Sequence, residues 1–197
     1  MSSTAKAFGF RSSFHNSGQM RPKAYTIATG YAINIFVGDP VKLIDSGTIE
    51  LGTSDGTRSG TTNGIALLGV FAGVEYLDSN GKPTLSNYWP ASTTATEIRC
   101  YVYDDPEILF DVEYPNPSSG TTVQTAVGEE CDWTVAVAGG STATGLSNTY
   151  LTVIQSTSGQ FQITGFGYGV DNALTDAYVV ATVRINEHHY KASVNSI

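Results

Sequence analysis

The chain has 197 residues, of which 14% are charged and 11% aromatic, with a formal charge of −8. Ordinary soluble domains carry roughly 25% charged residues. Low charge combined with many aromatics excludes intrinsic disorder, and the acidic balance argues against nucleic acid as the partner of the folded body.

In chain order, the first 38 residues carry Lys6, Arg11, Arg21 and Lys23 and no carboxylate, the first acid being Asp39. Subtracting this +4 from −8 leaves −12 on residues 39–197. Phe8, Phe10, Phe14, Met20 and Tyr25 are scattered through the same stretch with neither helical nor strand period. Such asymmetry speaks of partners and not of fold. It predicts that residues 1–30 form an extended arm, mobile when free. Phe8, Phe10, Phe14 and Tyr25 would fill pockets on a binding partner, and Arg11 and Arg21 would meet its carboxylates. Packing of the phenylalanines as an edge segment on the chain's own body is the competing expectation. The first 20 residues lack the apolar core of a signal peptide, which implies synthesis in a cytoplasm.

Beyond the arm, apolar residues alternate over short runs punctuated by Gly, Asn, Asp, Ser and Pro, the rhythm of an all-β protein. Strands are predicted over 24–27, 32–36, 40–44, 48–51, 65–76, 98–103, 108–112, 131–137, 149–154, 161–168 and 177–187. Asn80-Gly81 predicts a tight turn. The Pro- and Gly-rich run 115–120 breaks regular structure and predicts a linker. It would separate two degenerate β-barrel or β-sandwich units, 31–114 and 121–197, which could also form one continuous domain.

The two halves echo each other. Val37-Gly38-Asp39-Pro40-Val41 resembles Val127-Gly128-Glu129-Glu130-Cys131, and the segment 69–75 resembles 165–171 through glycines spaced four apart. Glycines so placed in strands mark bulges or close backbone approach.

Signals for chemistry are weak. His188 and His189 are neighbours, so on a strand they face opposite ways and cannot share a metal; both read as solvent or interface residues. Cys100 and Cys131 are too few for a disulfide framework and read as reduced, buried thiols. Asp104, Asp105 and Glu107 could hold calcium, but the spacing lacks the alternating ligand pattern, and an Asp-Pro turn explains it as well. Asp111 and Glu113 share a strand face at a spacing a glycosidase pair permits, as any solvated strand face does. The Gly-rich 52–64 lacks the Lys-Ser/Thr of a phosphate loop. No enzyme, cofactor or metal is predicted, and no stretch approaches the roughly 18–20 apolar residues of a membrane span. Tyr88 and Trp89 are adjacent aromatics that a strand sends to opposite faces, which predicts one buried and the other exposed or in an interface and makes the pair the candidate oligomer interface. Two separate core clusters packed from both sides are the competing expectation.

Several stretches together, FGFRSSFHNSGQMRPKAYTIATGY, GDPVKL, LLGVFAGVEY, SNYWPAS, YVYDDPEILFDVEY and DNALTDAYVVATVRINEHHY, resemble the head cement or decoration proteins of short-tailed bacteriophages. The resemblance spans nearly the whole chain and rests on pattern, with no catalytic signature. It implies a β-rich homotrimer that sits on the outer surface of the virion, binds the major capsid protein and clamps neighbouring capsomers, with no nucleic acid or membrane as partner. From another class, the residues also permit a carbohydrate-binding β module of a tail spike or secreted enzyme, with Tyr88 and Trp89 stacking on sugars. A glycosidase is a distant third reading.

Overall fold

Period-2 alternation produces strands in much of the chain, and β14 shows it most simply: Val179, Ala181, Val183 and Ile185 are buried, while the residues between them are half-exposed. A computed structural model of the chain describes residues 7–53, 66–116, 123–155, 159–167 and 172–191. Its strands are β1 (Arg11–Phe14), β2 (Lys23–Tyr25), β3 (Ile35–Phe36), β4 (Pro40–Leu43), β5 (Ile49–Leu51), β6 (Gly69–Leu77) and β7 (Pro83–Ser86). They continue as β8 (Tyr88–Trp89), β9 (Thr96–Tyr103), β10 (Leu109–Pro115), β11 (Glu130–Ser141), β12 (Leu146–Gln155), β13 (Phe161–Phe166) and β14 (Tyr178–Ile185). One short 3-10 turn, Val123–Ala126, completes the described elements. The protein is all-β.

Two antiparallel sheets share one topology. The first runs β2-β9-β6-β4-β5 and the second β10-β14-β13-β11-β12, with β1 added beside β10. Numbered by order along the chain, both five-stranded sets read 1-5-4-2-3. The registers match as well. Val41 pairs with Gly69 and Cys131 with Phe161. Phe71 pairs with Val102 and Ile163 with Val183. At the entry to each second strand, Gly38 donates to Phe71 O while Phe71 N–H donates to Asp39 O, and Gly128 and Ile163 repeat this with Glu129. Gly38 and Gly128 hold φ of 95° and 93°, a conformation that Cβ-bearing residues avoid.

The echo of 37–41 in 127–131 is therefore structural. The second echo slips by four residues: the registers place Gly73, not Gly69, on Gly165, and both glycines sit where their ladders shift. Residues 168–171 of that echo lie outside the described residues. The unit boundary also differs from the sequence reading. The first unit runs from β2 to β9 and the second from β10 to β14, so the linker is 104–108. Pro115 ends β10, the first strand of the second unit, because proline has no N–H to continue a ladder. Pro115 therefore lies within the second unit; residues 117–120 lie outside the described residues.

Each sheet encloses its own core. The first packs Ile35, Val41, Phe71, Val74, Trp89, Cys100 and Val102; the second packs Phe10, Phe110, Val112, Trp133, Leu151, Phe161 and Val183. Cys100 and Cys131 are buried free thiols in different cores, and burial pushes both up to about 12. Native protein is expected to resist an aromatic disulfide reagent at pH 8, with both thiols titrating once it is unfolded; a single titrated thiol in denaturant would contradict this.

Candidate functional site

The N-terminal segment is not a detached arm. Arg11–Phe14 pairs antiparallel with β10, placing Arg11 opposite Asp111 and Phe14 opposite Leu109. Just before it, Gly9 N–H donates to Thr149 O of β12 and Phe10 N–H to Gly38 O. The segment thus bridges the two ends of the curled second sheet. Phe10 is 2% exposed and stacks on Phe161 at 4.3 Å between ring centroids. It fills a pocket of its own chain, not of a partner, because the second sheet's core is incomplete without it. The edge-packing expectation describes Phe10 correctly.

The remaining residues of this segment divide by exposure. Phe8 is half-buried under the Arg11 guanidinium, 4.5 Å from its ring centroid. Arg11 and Arg21 are exposed, and Phe14 is 53% exposed although aromatic. Met20 packs against the second core. The basic charge finds acids within the chain: His15 Nε2 lies 3.3 Å from Asp105 Oδ2 and Lys23 Nζ lies 3.6 Å from Asp104 Oδ2.

Tyr25 is half-buried, donates to Asp104 Oδ2 at 2.5 Å and meets the Tyr190 hydroxyl at 2.9 Å. Burial first, and then the Asp104 carboxylate, hold its hydroxyl well above the ordinary tyrosine pKa. The acidic run 104–107 is thus the counter-surface of the N-terminal segment. Glu107 N–H donates to Asp105 Oδ1 at 2.9 Å, the Asx-turn chemistry expected of Asp-Pro. Among the described residues no three acids, histidines or cysteines are grouped to hold a metal.

Tyr88 and Trp89 separate. Trp89 is fully buried and meets Tyr76 edge-on at 5.5 Å; Tyr88 is half-buried and stacks on Phe36 at 5.4 Å. Trp89 belongs to the first core, so it forms neither a subunit interface nor a sugar platform. Strand alternation sends the two rings to opposite faces, and the inner face of the two-residue β8 meets the core of the first sheet. Asp111 accepts from Thr182 Oγ1 at 2.8 Å, and Glu113 is buried. The two share a face, yet one is engaged across the sheet and the other is enclosed, unlike a pair flanking an open cleft. A shallow depression of about 320 Å³ lies elsewhere, lined by Glu75, Tyr76, Leu77, Leu85, Glu97 and Arg99 among others.

Two polar features escape a reading of the sequence. His188 is fully buried, not exposed, and its Nδ1 accepts from Tyr190 N–H at 3.1 Å. Asp39 is 2% exposed; Oδ2 accepts from Phe36 N–H at 2.8 Å and Oδ1 from Ser147 Oγ at 2.5 Å. Ser147 continues to Thr149 Oγ1 at 2.9 Å, which donates to Gly38 O. This node joins the first sheet to β12. The Gly-Asp turn signalled a strand entry but not its polar partner 108 residues away.

No family model matches this chain, and neither a curated protein nor a solved structure matches it.

Proposed function

We propose that this chain is a structural virion protein, a cement or decoration protein that binds the outer surface of a phage head through its folded N-terminal strip. The observation that carries the reading is Phe14, an aromatic more than half exposed on a regular strand, flanked by exposed Arg11 and Arg21. Tyr190, 49% exposed and joined to Tyr25, is a second exposed aromatic, with Lys23 as its basic neighbour. Ordered aromatics left in water on a strand suit a surface that is covered on assembly. The pairing of β1 with β10 presents Arg11 and Phe14 already positioned, which lowers the ordering cost of association.

The strip contributes through two unequal effects. Burying a phenylalanine yields on the order of 1.5–3 kcal/mol, whereas an exposed ion pair yields roughly 0–1 kcal/mol. Phe14 therefore sets affinity, and Arg11 and Arg21 set register and on-rate. Clamping of major capsid subunits by a homotrimer is part of the proposal, with its subunit contacts outside Trp89.

Co-sedimentation with undecorated, expanded short-tailed-phage heads tests this. Wild type is expected to pellet with heads, Phe14→Ser to bind at least about 10-fold more weakly, and Arg21→Glu to bind more slowly with weaker salt dependence. Absence of wild-type binding, or retention on a polysaccharide resin instead, contradicts the proposal.

A further inference from the structure

The C-terminal segment 186–191 is pinned at two places. Leu67 N–H donates to Glu187 O at 2.9 Å, and His189 N–H donates to Leu67 O at 2.8 Å. Beyond this bridge, contacts run from His188 through Tyr190 and Tyr25 to Asp104, so the segment is tied to β2 and to the 104–108 linker. Lys23 Nζ lies 5.3 Å and 5.7 Å from the ring centroids of Tyr25 and Tyr190, on the same junction. His188 occupies the buried end of this path. Because Nδ1 accepts from the Tyr190 N–H, the neutral ring carries its proton on Nε2. That atom is buried and has no hydrogen-bond partner among the described residues.

We propose that His188 is the proton-sensitive release of a latch: protonating its ring frees residues 188–191 from Leu67, β2 and the linker while both sheets stay folded. Two physical consequences of protonation drive the release. Nδ1 gains a hydrogen and can no longer accept from Tyr190 N–H, so two donors face each other. A cation is also created in a buried site, which costs free energy unless it is paired. The surrounding charges are divided. Lys191 and His189, on the same segment, oppose the charge, whereas Asp104 and Asp105, on the linker, favour it. Asp104 is already engaged by Tyr25 and Lys23, and Asp105 by His15. Burial dominates and pushes the ring down to about 4 from 6.5. An opened segment returns the ring to its ordinary value, so linkage raises the opening constant about 20-fold between pH 7 and pH 5. The latch stands whatever the chain binds.

Hydrogen exchange of the His189 and Tyr190 amides, corrected for the intrinsic pH dependence of exchange, reads this opening directly. The expected result is an increase of about 20-fold from pH 7 to pH 5, with the β14 amides unchanged. His188→Asn places a carboxamide oxygen where Nδ1 accepts and cannot be protonated, so its exchange is expected to stay flat. A flat wild type, an equal rise in His188→Asn, or a parallel rise in β14 overturns the proposal. Should the variant fail to fold, an NMR titration of wild type decides. The His188 ring and the Tyr190 amide are expected to shift with one midpoint well below 6. A ring that titrates near 6.5 while the Tyr190 amide stays still overturns the latch.

Discussion

Phe10→Ala is expected to destabilise the protein by about 3–5 kcal/mol, the range for removing a buried aromatic ring from a packed core. Phe10 lies against Phe161 in the core of the second sheet, and its own N–H is bonded to Gly38 O. The lost ring leaves a cavity that the bridging segment cannot collapse into without breaking its bonds to β12 and to Gly38. Deleting residues 2–22 removes β1 together with Phe10, and the second unit is then expected not to fold. Chemical denaturation followed by tryptophan fluorescence measures both, because Trp133 is buried in this core. Phe14→Ser should leave the midpoint within about 0.5 kcal/mol of wild type, as for most surface substitutions. A truncated protein that melts like the full chain would return the segment to the role of a free arm.

Asp39→Asn is expected to raise stability at pH 7.5 and to uncover an acid sensitivity that wild type conceals. Burial pushes the Asp39 carboxyl up to about 6 from 3.8, against the lowering effect of its bonds from Ser147 and Phe36. A carboxyl raised on folding contributes its stability fully below pH 3.8 and loses it as pH rises through 6. Over about two pH units this amounts to about 3 kcal/mol. His188 has the opposite sign: its folded value is lowered, so its contribution is present above pH 6.5 and is lost as pH falls toward 4. Between pH 4 and 6 the two offset, and wild-type stability is expected to be nearly level there. Asn keeps an acceptor for Phe36 N–H and presents a donor to Ser147 Oγ, so the node survives without the charge. The variant is therefore expected to gain up to about 3 kcal/mol at pH 7.5 and to lose stability on acidification. A pH series of denaturant midpoints checks both, and a wild-type profile unaltered by the substitution contradicts the account.

The sequence exposes those parts of the fold that depend on local pattern. Alternation in 177–187 and 98–103 locates β14 and β9 to within two residues, and the Gly-acid turns at 38–39 and 128–129 reveal a true internal repeat. Pairing across long separations stays hidden. Arg11-Ser12-Ser13-Phe14 has no apolar alternation because β1 lies at the sheet edge with most of its side chains in or near water. Its strand character comes from β10, about a hundred residues away. Phe10, just before the strand, carries the burial, so Phe8, Phe10 and Phe14 look equivalent in sequence and occupy three different environments. His188 reads as exposed because the residues enclosing it, Leu67 among them, come from elsewhere in the chain. The charge asymmetry reads as a docking signal in the sequence, and part of the basic charge meets the linker acids of the same molecule.

Imaging bare expanded phage heads after incubation with this protein tests the central claim most directly. The account predicts density on the outer shell surface in which the β1 edge, with Phe14, Arg11 and Arg21, faces the capsid and both sheets project outward. Heads that remain bare, or density in which β1 faces solvent and another surface meets the shell, would contradict it.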